Sequence, residues 1–336
     1  MRDVISRESA AAPKVAVLAL LLALACLLAV RVGAVRLGAG EILSALLGEG
    51  DPRTVAIVRG LRFPRVALAA LCGSALAMSG MTFQALLRNP LADPFILGVS
   101  SGAATGAVAA VVLHLDELGA WVIPCAAFLG ALLAVLLVFR VAIVPGRALD
   151  GRTLLLAGVI VGAFGNAAIL LFLTFADAES FRSAVFWMMG SLAAATWQST
   201  LLLGVTLAAA LPLLFGFARA LNLLAVGEPT AAALGVRVER VKYAGFALAA
   251  LLAAVTVAVS GVIGFVGLVV PHAVRLLWGS DHRLLIPCAA LLGSTFLVLA
   301  DMVARTAAAP AELPIGVVTA FVGVPFFIVL LRRRDA

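Results

Sequence analysis

The chain has 336 residues, of which 64% are hydrophobic and 12% charged, with a mean hydropathy of +1.19 and a net charge of +7. A soluble domain carries about 25% charged residues, so the composition excludes a water-soluble globule and implies one polytopic membrane domain over residues 1–336. The positive charge does not point to nucleic acid, because Lys and Arg sit between apolar runs, where membrane-flanking cations belong.

Roughly 20 apolar residues cross a bilayer as a helix, and the chain divides into about ten such segments. After a basic start with Arg2, Arg7 and Lys14, Val15 to Val30 is the first span, closed by Arg31 and Arg36, and is read as a span rather than a signal peptide. Residues 37–64 are more polar and are expected to form an outer loop with an amphipathic start. Spans 2 and 3, about 65–87 and 95–113, form a hairpin broken at Arg88-Asn89-Pro90, and the small residues Gly73, Ser74, Ala75, Ala77, Ser79 and Gly80 suit close helix approach in lipid. Span 4 is about 119–140 and span 5 about 153–174, followed by a piece around Asp177 to Ser191 too short to cross. Span 6 is about 197–217. The least apolar internal stretch, 221–242, precedes spans 7 to 10 at about 243–260, 263–278, 284–303 and 314–331, and Arg332 to Arg334 end the chain.

With both termini in the cytoplasm, 16 of the 24 Lys and Arg residues fall inside, the bias that sets orientation. An internal echo adds to this. IPCAAFLG at 123–130 recurs as IPCAALLG at 286–293, AGVIVGAFG at 157–165 has a looser partner at 315–323, and Ser79-Gly80 with Pro90 resembles Ser260-Gly261 with Pro271. Equivalent spans are five apart, an odd number. The halves, roughly 62–175 and 243–331, therefore face opposite ways, as an inverted repeat common among transporters. The fold class is all-α.

No GxxxxGK[ST] segment exists, and the two lysines, Lys14 and Lys242, follow no glycine-rich loop, so the chain holds no P-loop nucleotide site. His114, His272 and His282 are isolated, and Cys26, Cys72, Cys125 and Cys288 lie singly in apolar runs, so no metal set is formed. Neither an enzyme nor a resident cofactor is indicated; an ATP-driven process would place ATP and Mg on another polypeptide.

Three groups of residues are candidates for function. Gly227, Glu228, Pro229 and Thr230 have helix-start chemistry, Ala231 to Leu234 are helix formers and Gly235 suits a C-cap. With a second short helix over Val236 to Val241, they would make a rigid knob for docking a partner. Arg59, Arg62 and Arg65 crowd the outer mouth of span 2 and Arg305 follows span 9, a basic rim that attracts an acidic protein or anionic ligand; anchoring to headgroup phosphates is the competing reading. Polar or small residues within spans, Gln84, Gly162, Gly165 and Asn166, are candidates for a translocation path, with helix packing as the competing reading.

The segment PRVALAALCGSALAMSG followed by QALLRNPLADPFILGVSSGA, together with GEPTAAALGV, DMVAR and PHAVR, resembles the permease subunits of bacterial ABC importers for iron–siderophore complexes, haem and cobalamin. That resemblance implies an inner-membrane permease working as a homodimer with two ATP-binding-cassette ATPase subunits and a periplasmic or lipid-anchored binding protein, with no nucleic acid involved. It further implies that residues 227–235 meet the ATPase, that the arginines of RFPR and DMVAR receive glutamates of the binding protein, and that the fifth spans of two copies flank the path. The rival, an ion-coupled secondary transporter, predicts acidic or lysine side chains at the span centres, and none is found there.

Overall fold

The computed structural model describes residues 2–33, 37–143 and 149–334, with side chains described from residue 11 to residue 329. Arg36 and Arg147 lie outside the described residues, as do the side chains of Arg2, Arg7 and Arg332 to Arg334. Among the described residues every regular element is a helix, the form that satisfies its own backbone polar groups where lipid offers no partner. The chain begins with α1 (Arg2–Arg31), α2 (Ala39–Leu47) and α3 (Pro52–Val55), which continues through a π-helical stretch (Ala56–Arg62) into α4 (Phe63–Leu86). Then come α5 (Val99–Val112), α6 (Val122–Ala142), α7 (Gly151–Thr174), α8 (Ala178–Met188) and α9 (Trp197–Val226). The last group is α10 (Glu228–Ala233), α11 (Val238–Ser260), α12 (Val266–Trp278), α13 (His282–Ala304) and α14 (Ile315–Arg334).

Two expectations need correction. Residues 37–64 are not an open loop: α2, α3 and the π-helical stretch occupy most of it, started by the Asp51 carboxylate accepting from the Thr54 amide. No second short helix follows Gly235 either, because α11 starts at Val238 and is continuous to Ser260.

Among the described residues seven helical segments are long and apolar enough to span, and three shorter ones, Val99–Val112, Val266–Trp278 and Ile315–Val329, complete the ten. At 1.5 Å per residue, α5 and α12 reach only about 20 Å, short of the ~30 Å hydrocarbon core. The missing length is non-helical chain, 87–98 before α5 and 261–265 before α12. Such backbone is tolerated at membrane depth only when protein covers it, and Ala92, Leu97 and Ile263 are fully buried. Both half-length helices start directly after a left-handed residue, Gly98 (φ 79°) and Phe265 (φ 68°).

These two half-length helices are equivalents in the inverted repeat. α4 to α7 and α11 to α14 follow one pattern, α4 lies on α13 as α11 lies on α6, and α12 reaches α4 as α5 reaches α11. The octamer echo falls on equivalent helices, α6 and α13. The Ser-Gly…Pro echo falls on the equivalent helices α4 and α11 but at different depths: Ser79-Gly80 lies inside α4, whereas Ser260-Gly261 ends α11.

The centre of the bundle is α4, α11 and α13, and α1, α6, α7 and α9 are more exposed around it. Close approach is made possible by glycine: a Cβ at Gly73 would overlap the Gly293 backbone carbonyl, and one at Gly80 that of Gly267. The bundle has two ends. One carries α10 with the ends of α4, α9 and α12 (the α10 face). The other carries α8 with the start of α4 and the ends of α1 and α13 (the α8 face).

Candidate functional site

On the α10 face, Gly227 (φ 157°) ends α9 and redirects the chain, so that α10 starts at once with Glu228 and Pro229. Its end is a Schellman turn: the Gly235 amide donates to Ala232 O at 3.0 Å and the Val236 amide to Ala231 O at 3.0 Å, with Gly235 in the left-handed region (φ 83°) that glycine accommodates. Ala231 is the buried foot of this one-and-a-half-turn helix, while Pro229, Thr230, Leu234 and Gly235 are turned outward, Leu234 being 57% exposed. Pinning comes from below. Lys242, buried at the start of α11, donates from Nζ to Glu228 Oε2 at 2.6 Å and to the Leu149 carbonyl at 2.5 Å. The knob is thereby tied to α11 and to the chain that enters α7. Sequence reading set Lys242 aside; the available signal was a lone lysine shortly after an acidic helix start in an otherwise lysine-poor chain.

A polar hollow of about 450 Å³ lies on the same face, between the end of α4, Arg88-Asn89-Pro90, α12 and His282. Gln84 forms its back wall and is itself buried, donating from Nε2 to Gly267 O at 3.0 Å and accepting from Arg275 Nη1 at 2.5 Å. It holds α4 to α12. Asp281 caps α13; burial opposes its ionisation, but donation from Asn222 Nδ2 (2.7 Å) and the Arg283 amide (3.0 Å) prevails, and its carboxyl is held below the usual range. Asp93, in the break before α5, is a buried carboxylate that sequence reading missed. Its Oδ1 accepts from the Phe95 amide at 2.9 Å, and Oδ2 lies beside Gly267 in the first turn of α12, where a helix N-terminus favours negative charge.

On the α8 face the four arginines separate into two kinds. Arg65 is engaged from two sides, by Asp301 at 2.9 Å and by Glu312 at 2.9 Å. Arg62 is buried and donates to Val30 O at 2.7 Å, and Arg305 donates to Ala29 O while standing 3.4 Å from Asp301. Together Arg62 and Arg305 satisfy carbonyls at the end of α1 that the helix leaves unpaired. Arg59 is exposed; its Nη2 donates to Leu46 O at the end of α2, and its own carbonyl accepts from Trp197 Nε1 at 3.0 Å. Arg62, Arg65 and Arg305 are thus framework cations, and an incoming carboxylate would reach Arg65 only by replacing Glu312.

The four path candidates do not converge on one cavity within a single chain. Gly165 packs on Ser101 and Thr105 of α5, with Thr105 Oγ1 donating to Gly165 O at 3.1 Å, and Gly162 faces Ser101. Asn166 stands exposed on α7, in a row with the exposed Val159 and Leu170 and on a different side of the helix from Phe164. Sequence reading also overlooked an apolar hollow of about 530 Å³ between α8, the 262–265 bend and α14, where Met188, Phe265, Gly316 and Phe321 meet.

Among the described residues the body is helical, with inverted halves and paired half-length helices, the architecture of a membrane transport permease. Comparison with known proteins narrows the class. The model of the FecCD transport family matches residues 21–333. The chain is 44% identical over 294 residues to the cobalamin import system permease protein of Halobacterium salinarum, covering 87% of this chain and 78% of that protein. It is 41% identical over 319 residues to the vitamin B12 import system permease protein of Salmonella paratyphi A, covering 94% of each. A solved structure described as an inward-facing conformation of a metal-chelate type ABC transporter superimposes with a TM-score of 0.85 at 33% identity, over 95% of this chain and 98% of that one. The chain belongs to the FecCD transport family, as a multi-pass ABC-type permease of the metal-chelate and cobalamin import group. Family membership implies ATPase and substrate-binding partners.

Proposed function

We propose that two copies of this chain form the membrane pore of an importer that carries a cobalt or iron chelate into the cytoplasm, with cobalamin the first cargo to test. The α10 face then looks into the cytoplasm, both termini lie there, and the membrane is the bacterial inner membrane. Two separate ATPase subunits, which supply ATP and Mg, seat on α10; a binding protein delivers cargo at the α8 face. The path runs between the copies beside α7, where Asn166 interrupts an apolar face, and past the hollow under α14. Iron–siderophore complexes and haem are the other chelates of this class.

The observation that carries the reading is the knob. A six-residue helix flanked by the exposed Val226 and Leu234 is fixed from beneath by a buried lysine, the combination of exposed apolar contact and rigid mounting that docking a partner requires. Its motion would reach the bundle through Lys242 at the foot of α11. Of the four arginines singled out on the α8 face, Arg59 is the exposed one, placed to meet a carboxylate without breaking an internal ion pair. Alternating access follows when nucleotide binding in the partners displaces the two knobs. The test is reconstitution into liposomes with a candidate ATP-binding-cassette ATPase and a candidate binding protein from the same organism. ATP-dependent accumulation of cobalamin, and none without the ATPase, is the expected outcome; accumulation by the chain alone would overturn the reading.

A further inference from the structure

An apolar trough of about 650 Å³ runs along the α8-face end of α1, walled by Leu24, Leu27 and Leu28 of α1, by Ile42 and Leu46 of α2, and by Phe63 with Val66 of α4. It exists because α1 packs mainly along α13 and only lightly on α4, leaving a gap that α2 roofs. Small residues, Ala23 and Ala67, give it width. Arg31 lines its mouth, the one charged side chain among the lining residues. Arg31 is exposed and makes no ion pair among the described residues, whereas the neighbouring Arg62, Arg65 and Arg305 are bound to protein oxygens.

Its dimensions are those of one leaflet. Arg31 ends the spanning segment Ala11–Arg31 and so marks headgroup level. The trough extends from there to Ala23, about 12 Å at the helical rise, against the ~15 Å that is half of a ~30 Å hydrocarbon core. We propose that this trough holds one acyl chain of an anionic phospholipid whose phosphate pairs with the Arg31 guanidinium. The carbon walls accept the chain, and the guanidinium fork suits phosphate oxygens. The bound lipid props α2 against α1 and α4. Because Arg59 is tied to α2 through the Leu46 carbonyl, the lipid also steadies Arg59. This inference rests on the membrane placement alone and not on cargo or partners.

The experiment is native mass spectrometry of the full-length chain released from nanodiscs of phosphatidylglycerol or of phosphatidylethanolamine, comparing wild type with Arg31→Gln and Ala67→Phe. Expected are one phosphatidylglycerol retained per chain, retention weakened roughly fivefold in Arg31→Gln, in keeping with about 1 kcal/mol per basic residue at an anionic surface, and retention lost in Ala67→Phe. Arg31 is exposed, so its variant keeps the test valid if Ala67→Phe does not fold. Equal retention of the two lipids with no effect of Arg31→Gln, or no retained lipid in the wild type, would overturn the proposal.

Discussion

Arg65 illustrates how far single residues were legible. The sequence shows an arginine-rich mouth before span 2. The carbonyls of α1 and the carboxylates that take up its arginines lie more than two hundred residues away in sequence or arrive from a different helix, and spacing says nothing about either. The two carboxylates on Arg65 differ in worth. Asp301 is 1% exposed and fully dependent on its cations, whereas the Glu312 side chain is 44% exposed. Arg65→Ala removes the hydrogen-bonded cation of the buried Asp301 carboxylate, leaving it Arg305 at 3.4 Å, and is expected to cost about 3 kcal/mol. Glu312→Gln removes a largely solvated partner and should cost less than about 1 kcal/mol. Thermal melting of both variants in one detergent separates them; equal losses would show that burial does not set the cost here. Charge reversal at Arg65 or Arg305 would therefore perturb folding before it reported on docking, which leaves Arg59 as the informative position.

At the scale of elements, hydropathy located every span but not its kind. Apolar runs of similar length became full helices at α6 and α13 and half-helices at α5 and α12, because what completes a crossing in the latter is buried irregular chain whose cover comes from other helices. Pro90 and Pro94 flagged the first break; the second, 261–265, was signalled only by two glycines, Gly261 and Gly264. Small-residue content was the more reliable guide. The α4 surface read as suited to close approach does meet backbone at Gly293 and Gly267. Gly73→Val and Gly293→Val should each force α4 and α13 apart, an overpacking cost of about 1–3 kcal/mol or more, visible as a lower melting temperature and less monodisperse protein on size exclusion. Gly216→Val on α9, where a side chain meets open space, is the control expected to stay near wild type. A Gly73→Val protein as stable as the control would mean that α4 and α13 are not in backbone contact.

For the whole molecule, the inverted halves explain why the α10 segment stands apart: it is inserted between the repeats, belongs to neither bundle half, and is free to serve as a handle on both. It is fastened to α9 by the Gly227 bend and to α11 by Glu228 and Lys242. On the proposed reading, a push on α10 would reach α11, the helix that packs on both α4 and α6, the inner helix of one half and an outer helix of the same half. Leu234→Glu tests that transmission with the least damage to the fold. The side chain is exposed and contributes little to packing, so melting should shift by no more than about 0.5 kcal/mol. A carboxylate on the contact surface should nonetheless abolish co-purification with the ATPase and ATP-driven uptake together. Glu228→Gln complements it: the exposed surface is kept while the tie to Lys242 is weakened by about 1–3 kcal/mol, so the ATPase should still bind and hydrolyse ATP while uptake per ATP falls. If Leu234→Glu still binds its ATPase and transports normally, α10 is not where the motor acts. If Glu228→Gln leaves uptake per ATP unchanged, force enters the bundle by a route other than Lys242.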